Sequence, residues 1–241
     1  MAAFALHLLA CLPYVTCSVF LLGLAKRIGH WHRSKVVPAP LFPRPVRPAA
    51  AWRRLAAEIC LLRGSHAGDP GLWIGAWPLH VALFAIAVGH VRAFVDFPGL
   101  WRTLGIGPER VDALAGLAGG VVGLVAMLAC LYLLAWRLFV RRLREITRMQ
   151  DLWTLLLLLA VVVSGNAMRL GSPVDLEPIR AYFAALARLH PVPMPELPGF
   201  ATHFLLAQGL LAWAPFGKLL HAPGLFWAKA DLYRCGERRM P

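Results

Sequence analysis

The sequence predicts an all-α integral membrane protein with five transmembrane helices. Of its 241 residues, 59% are hydrophobic and only 15% are charged. A soluble domain of this length cannot bury so much apolar surface, so the lipid bilayer must act as solvent for much of it. Five apolar segments are each long enough to cross a hydrocarbon layer of about 30 Å. They cover residues 2–24, 72–95, 112–139, 152–170 and 199–220, within a single domain formed by residues 1–241.

The first apolar segment is followed, not preceded, by basic residues, in "AKRIGHWHRSK". A secretory signal peptide carries its positive charges before the apolar run. We therefore expect a retained helix. The loop after it, residues 25–71, contains "VVPAPLFPRPVRP", and this proline-rich stretch predicts an extended chain.

The same loop ends in "AAWRRLAAEICLLRG", which predicts a short amphipathic helix. Trp52, Leu55, Ile59 and Leu62 fall at helical spacing, away from the charged residues. Such a helix either lies in the membrane interface and docks a partner, or packs on its own domain. The sequence leaves both readings open.

The basic residues predict the orientation in the membrane. The formal net charge is +13, but the basic residues flank apolar segments, which is typical of membrane topology and not of nucleic-acid binding. The loop 25–71, the loop after the third helix and the C-terminal end carry nine, five and five of the 25 Lys and Arg residues. The positive-inside rule therefore places the N-terminus outside and the C-terminus in the cytoplasm.

The five cysteines are scattered, with no CxxC and no CxxCH motif. This pattern argues against a zinc or iron–sulfur site within the chain and excludes covalently attached c-type haem.

Apart from His7 near the N-terminus, four of the nine histidines lie in a predicted membrane helix or directly at its end, where a polar side chain is costly. His80 and His90 are ten residues apart in the second helix, and His203 and His221 are eighteen apart in the fifth. Eighteen residues complete five turns, so His203 and His221 share a helical face. Because the two helices run in opposite directions, we expect His90 to lie beside His203 and His80 beside His221.

Facing imidazoles on two helices form the ligand set of six-coordinate haem iron, and two stacked pairs make an electron path across a bilayer. Helix-to-helix hydrogen bonding and proton relay are the alternatives, and zinc is disfavoured because no carboxylate or thiol is close in sequence. The axial separations differ, at about 15 Å for His80–His90 and about 27 Å for His203–His221 in straight helices. We expect kinks at Pro78 and Pro215.

The third helix carries a stripe of small residues in "GLAGGVVG". Gly116, Gly119, Gly120 and Gly123 fall on one face. This face either lets a flat porphyrin lie against the backbone or lets two helices pack closely.

Two histidine motifs carry a resemblance to a known family. "PLHVALFAIAVGH" and "HFLLAQGLLAWAPFGKLLH" resemble the corresponding helices of the nitrate reductase gamma-subunit family of membrane diheme cytochromes b, and the resemblance extends over all five helices. Within that superfamily, "VSGNAMRL", "APFGKLLHAPGLFW" and "VPAPLFP" resemble the cytochrome b subunit (DsrM type) of the membrane complex linked to dissimilatory sulfite reductase. Related subunits serve heterodisulfide reductase.

The resemblance implies two haem b groups held by His80 with His221 and by His90 with His203. It implies a quinone substrate, menaquinone or ubiquinone, and a multi-pass location in the bacterial cytoplasmic membrane. The chain would be the electron-transfer subunit of an oxidoreductase in sulfur metabolism. Its partners would be a cytoplasmic iron–sulfur subunit resembling the heterodisulfide reductase catalytic subunit, and further membrane and periplasmic subunits. A nitrate reductase or heterodisulfide reductase-type complex is the alternative.

The family also places a basic residue near the outer start of the third helix, where Arg110 is the nearest match. Arg92, Asn166 and Arg169 lie at outer helix ends as well. These four residues are candidates for binding haem propionates or quinone, or else they anchor the helices at the interface.

A haem-free transporter or membrane scaffold, with the histidines as proton relays, is an alternative of a different class. The near absence of carboxylates within the predicted helices argues against a proton pathway.

Overall fold

The structure, a computed structural model, describes residues 2–33, 56–171, 174–221 and 224. All regular elements in these ranges are helical, as predicted. A short helical stretch covers residues 56–61, and a 3₁₀ turn, Val91–Ala93, follows one of the long helices. The other helices are α1 (Ala2–Arg33), α2 (Arg63–Gly68), α3 (Pro70–His90), α4 (Pro98–Thr103), α5 (Pro108–Phe139), α6 (Arg141–Ile146), α7 (Met149–Gly171), α8 (Glu177–Ala187) and α9 (Phe200–Trp213).

Within the described ranges, four helices are long and apolar enough to cross a membrane, namely α1, α3, α5 and α7. The prediction of a fifth spanning helix over 199–220 is wrong. Helix α9 has 14 residues, which extend about 21 Å against a hydrocarbon thickness of about 30 Å. It ends before Pro215, which has no N–H to donate to the preceding turn, and the chain continues through residue 220 as turns and bends.

The four long helices begin and end close to the predicted limits, except at the end of α1. That helix continues past residue 24 through its basic residues to Arg33. As a result, Arg27 extends from a helix and reaches the segment that follows α9, with consequences for the site below.

The four long helices and α9 pack in the order α3, α5, α7, α9, α1. The main core lies where α5 contacts α3 and α7, and small side chains at its centre let the helices approach closely. It consists of Leu79, Ala82, Ala126, Ala129, Cys130, Leu133, Leu155, Leu158 and Val162. This core holds the helix that carries His80 and His90 in a fixed position relative to the rest of the bundle.

The predicted amphipathic helix is described only in part. Its residues 56–61 are helical and contact α3, because the indole N–H of Trp73 donates to the carbonyl of Leu61 (2.8 Å) and that of Trp77 to the carbonyl of Cys60 (2.9 Å). This part therefore packs on its own domain. The proline-rich stretch, Trp52, Leu55 and the basic residues of the C-terminal tail lie outside the described residues.

Helix α8 is an element that the sequence analysis did not predict. Its buried residues Ile179, Tyr182 and Leu186 pack with Phe200 and Phe204 of α9 in a second core at one end of the bundle. The three α8 residues have the i, i+3, i+7 spacing of an amphipathic helix. This spacing in the sequence indicates α8, whereas hydropathy does not, because the segment is too short and too polar.

Candidate functional site

The structure places His80 of α3 beside His221. Their Nε2 atoms are 3.4 Å apart, and their rings are nearly perpendicular, with centroids 5.7 Å apart and planes at 85°. His221 follows the turn segment 214–220. Because this segment turns and does not advance as helix, His221 comes level with His80. In straight helices the axial distance from His203 to His221 would exceed that from His80 to His90. This mismatch is removed because α9 ends at Trp213, and not because α9 is kinked.

The structure places His90, the last residue of α3, beside His203 near the start of α9. Their ring centroids are 6.2 Å apart and their planes meet at 30°. The two pairs therefore lie about 15 Å apart along α3, one at its midpoint and one at its C-terminal end, and the chain from His203 to His221 runs between them. His80, His90 and His221 are exposed and His203 is half-buried.

Hydrogen bonds to carbonyl oxygens fix the tautomer of all four rings. The Nδ1 atoms of His80, His90 and His221 lie 2.7 Å, 2.7 Å and 2.8 Å from the carbonyl oxygens of Ala76, Ile86 and Lys218. The Nδ1 atom of His203 lies 3.1 Å from the carbonyl oxygen of Val161. A carbonyl oxygen only accepts, so each Nδ1 carries the hydrogen and each neutral ring presents an Nε2 lone pair.

This donor arrangement fits haem iron. Between His80 and His221, two lone pairs face each other at 3.4 Å, a contact that repels unless an electrophile lies between them. Two metal–nitrogen bonds of about 2 Å each need only slightly more room. No group of three or more His, Cys, Asp or Glu among the described residues could hold a metal ion. Two imidazoles alone suit a metal that brings its other ligands with it, as haem iron does.

The glycine stripe of α5 serves partly for close packing against α7. A Cβ atom on Gly119 would lie 2.6 Å from the Arg169 guanidinium, and one on Gly123 would collide with the Asn166 amide. Gly116 and Gly120 have no atoms within 4 Å of such a Cβ. The face therefore makes room for two of the candidate polar side chains of α7 and is open at its other two glycines.

Arg92 contacts two carboxylates. Its guanidinium pairs with Asp112 at 2.9 Å and lies 3.9 Å from Asp96. It lines a cleft of about 690 Å³ with Trp101, Arg102 and Arg180 among others. Arg110 is exposed in the first turn of α5.

The Asp96 carboxylate of this cleft is held in its ionised form. Burial alone raises the pKa of Asp96, but this effect is outweighed by hydrogen bonds from the Phe97 N–H and the Trp101 indole and by the charges of Arg180 and Arg92. The pKa of Asp96 therefore lies below its ordinary value. Fixed charges of both signs consequently line this end of the molecule.

Helix α8 covers the end of the bundle that holds the His90–His203 pair. Phe183 of α8 contacts Phe94, just beyond His90, with ring centroids at 4.5 Å, and Phe204, next to His203, at 5.9 Å. These aromatic contacts join the two elements that carry the pair.

The turn segment 214–220 is held by side chains that the sequence analysis did not single out. Arg27 donates from Nε to the Pro215 carbonyl (2.9 Å) and from Nη2 to the Gly217 carbonyl (3.0 Å). Lys218 pairs with Asp151 at 2.8 Å. Irregular backbone in a bilayer must satisfy its polar groups internally, so these contacts make the placement of His221 possible.

Comparison with known proteins shows the family of the chain. The family model for the nitrate reductase gamma subunit matches residues 68–231, which include all four histidines. The chain belongs to this family. With its four helices of spanning length, this nitrate reductase gamma family member is a multi-pass membrane protein.

Three relatives show which members of the family this chain is similar to. The chain is 29% identical to the Hdr-like menaquinol oxidoreductase cytochrome b-like subunit of Archaeoglobus fulgidus, over 90% of this chain and 76% of the relative. It is 25% identical to the protein of the same name from Archaeoglobus profundus, over 93% and 78%. It is 33% identical to the nitrate reductase gamma chain of Bacillus subtilis, over 39% and 42%. None of the three is named for dissimilatory sulfite reductase, so the DsrM-type prediction gains no support from them.

Proposed function

We propose that this chain is a diheme cytochrome b subunit that carries electrons across the membrane between the quinone pool and a cytoplasmic iron–sulfur partner. The observation that carries the proposal is that α3 forms two two-histidine sites, one at its midpoint and one at its C-terminal end. In each ring Nδ1 is bonded to a carbonyl, which leaves Nε2 for a metal. The names of the Archaeoglobus relatives, cytochrome b-like subunits of a menaquinol oxidoreductase, support it.

In this proposal His80 and His221 hold one haem b and His90 and His203 hold the other. Haem supplies one-electron redox chemistry when bound. The chain supplies the axial ligands, fixes their tautomers by hydrogen bonds and surrounds the sites with apolar helices. The backbone carbonyl bonds are the kind of outer contact that raises imidazole basicity and sets ring orientation.

The orientation in the proposal follows the basic residues. The end of the bundle that holds α6 and the start of α3 faces the cytoplasm, because the loop around α6 is rich in arginine. The His80–His221 pair is the nearer of the two pairs to this end. The end with the His90–His203 pair, α8 and the charged cleft faces outward. The protein then lies in the cytoplasmic membrane, with its C-terminal end and the loop 25–71 available to a cytoplasmic partner.

The four candidate polar residues take different roles in the proposal. Arg169 lies within electrostatic reach of His203, and with Asn166 on the same side of α7 it is assigned to the propionates of the outer haem. Arg92, in the outward cleft, is assigned to the quinone site near that haem. Arg110 remains a candidate for either, at the exposed start of α5. The quinone is menaquinone in the names of the relatives, and we propose the same class here.

The proposed partner is an iron–sulfur subunit of heterodisulfide reductase type, with further membrane and periplasmic subunits in the complex. The support is the Hdr-like name of the two relatives with the widest coverage. A nitrate reductase-type complex is the alternative, favoured by the match to the Bacillus subtilis chain. A complex linked to dissimilatory sulfite reductase rests only on the motif resemblance. Co-purification of the native complex followed by identification of its subunits separates the three.

Haem content tests the proposal directly. We would purify the full chain, record reduced-minus-oxidised spectra and titrate pyridine haemochrome, for the wild type and for His80→Ala, His90→Ala and His66→Ala. His66 is a matched control, because it makes an edge-to-face contact with Trp73 at a centroid distance of 5.0 Å and belongs to neither pair. We expect two b haems per chain in the wild type and in the control, and one in each of the other variants.

Electron paramagnetic resonance then shows which haem each variant retains. The imidazole planes cross at 85° in the His80–His221 pair and at 30° in the other, and these arrangements split the iron d orbitals differently. Two distinct low-spin ferric signals are therefore expected, with one absent from each variant. A well-folded wild-type chain without haem would refute the proposal and favour a haem-free scaffold or proton relay.

A further inference from the structure

His203 differs from the other three histidines in where its Nδ1 hydrogen goes. His80, His90 and His221 bond to carbonyls three or four residues earlier in their own segments. His203 bonds across to the neighbouring helix α7, where its Nδ1 lies 3.1 Å from both the Val161 carbonyl and the Ser164 hydroxyl. It is the one ring of the four for which a side chain is also an acceptor.

The direction of the Ser164 contact follows from its other bond. The Ser164 hydroxyl donates its single hydrogen to the Val161 carbonyl at 2.9 Å. Its oxygen therefore meets His203 with a lone pair, and it accepts the Nδ1 hydrogen together with that carbonyl. Ser164, Val161 and His203 form a closed three-membered network, half-buried between α7 and α9.

The backbone of α7 is shaped to permit this contact. Residue 165 is glycine, and a Cβ atom there would lie 3.0 Å from Cε1 and 3.3 Å from Nδ1 of His203. The adjacent Ser164 and Gly165 thus supply an acceptor and the space for the ring to reach it. In "VSGNAMRL" these two residues precede Asn166 directly.

We infer that Ser164 is a positioning residue that lowers the reduction potential of the outer haem relative to the inner one. The inference rests on the proposed function. An acceptor on Nδ1–H shifts electron density toward Nε2, and a more basic imidazole stabilises ferric over ferrous iron. Two acceptors at His203 do this more strongly than one. The hydroxyl thereby adds a difference in reduction potential between the two bis-histidine sites.

A redox titration of the full-length chain tests this inference. In Ser164→Ala, the Val161 carbonyl remains to orient His203, so both haems are retained. The ratio of ferric to ferrous affinity at the outer haem falls by up to about tenfold, the lower end of the effect of outer-contact mutations. A tenfold change equals about 59 mV for one electron, so the outer midpoint rises while the inner midpoint stays unchanged.

Three further variants separate tuning from a structural effect. Ser164→Thr keeps the hydroxyl and restores the wild-type midpoint. Ser164→Cys keeps the shape of the side chain with a weaker acceptor, so the outer midpoint rises by less than in Ser164→Ala. If the alanine variant loses haem, the midpoint of the cysteine variant tests the inference instead. Thr154→Val removes a hydroxyl of the same helix that instead accepts from the Trp213 indole at 2.8 Å, and leaves the outer midpoint unchanged.

The failures are distinguishable. Two haems with an unmoved outer midpoint in Ser164→Ala and Ser164→Cys would refute the role of Ser164 and leave the proposed function intact. Equal shifts of both haems would also refute it, since they would indicate a global change. A wild-type chain without haem would overturn both.

Discussion

Gly165 shows how a single missing side chain determines the geometry of a site. Its Cα lies against the His203 ring, and an added Cβ would come closer to Cε1 than ordinary van der Waals contact allows. The ring therefore has to move if any other residue replaces the glycine. Movement of the ring changes where Nε2 points, which matters for a metal ligand far more than for a packing residue.

Gly165→Ala is expected to weaken the outer haem site selectively. The overpacking costs about 1–3 kcal/mol, and it falls on the position of His203. Pyridine haemochrome analysis should show between one and two haems per chain. The electron paramagnetic resonance signal of the His90–His203 haem should be the weakened one, and that of the His80–His221 haem should keep its full intensity. Gly29→Ala is the control, because nothing lies within 4 Å of an added Cβ there. Two fully occupied haems in Gly165→Ala would contradict this account.

The residues of the site were predictable to different degrees. The four histidines stood out because apolar sequence gives a polar side chain no solvent to reach, and the antiparallel order of two helices was enough to pair them. Ser164, Gly165 and Arg27 gave no such signal. Their importance depends on which neighbour they face across a helix interface, and a single sequence does not contain that information.

At the scale of elements, hydropathy predicted the four long helices but not the turns that follow α9. The expected fifth span had adequate apolar length, yet Pro215 terminates the helix and seven residues of turn follow before His221. His203 and His221, eighteen residues apart, share a helical face only if the helix between them is unbroken. The expected pairing does not depend on that assumption, since the turn segment brings His221 level with His80.

Arg27 holds this turn segment in place, and its loss should affect the inner haem alone. In Arg27→Met, the carbonyls of Pro215 and Gly217 lose their donors, and each unsatisfied buried group costs about 1–3 kcal/mol. We expect reduced occupancy or a shifted spectrum of the His80–His221 haem, with the outer haem unchanged. Lys26→Met removes a neighbouring charge of the same sign and should retain both haems. Loss of the outer haem in Arg27→Met would argue against a local effect.

A buried polar pair joins α1 to α9, and its two members should contribute unequally. Thr16 and Gln208, with 6% and 8% exposure, bond through their side chains. The Thr16 hydroxyl also lies near the carbonyls of Leu12 and Pro13, at 3.2 Å and 3.1 Å. It thus has acceptors in its own helix, whereas Gln208 faces an apolar interface once the hydroxyl is removed.

Thr16→Val should therefore destabilise the protein more than Gln208→Leu. We expect a loss of about 1–2 kcal/mol for Thr16→Val and a smaller one for Gln208→Leu, in the range of hydrogen bonds within membranes. The double variant should recover much of the loss, because no polar group is then left unpaired. Unfolding in detergent monitored by circular dichroism measures all three. A Gln208→Leu variant as unstable as Thr16→Val would contradict the asymmetry.

At the scale of the whole molecule, the two ends of the bundle differ in charge and in covering. One end carries α6 with its arginines, the turn segment 214–220 that accepts hydrogen bonds from Arg27, and His221. The other carries α8, the aromatic contacts and a cleft with charges of both signs. A transmembrane electron path needs two chemically different ends, one for a lipid-soluble quinone and one for a soluble partner, and the asymmetry of the bundle suits this division.

Cysteine labelling tests which end faces the cytoplasm. In a background without the five native cysteines, Glu177→Cys places a thiol at the exposed start of α8. Glu145→Cys places one in α6, where Glu145 pairs with exposed Arg141 at 3.0 Å. The arginines around α6 resist translocation, so a membrane-impermeant maleimide added to intact cells should label residue 177 and not residue 145. Permeabilised cells should show labelling at both. The opposite pattern would reverse the orientation and place the Arg92 cleft beside the cytoplasmic partner, and quinone access would then have to be sought at the His80–His221 end.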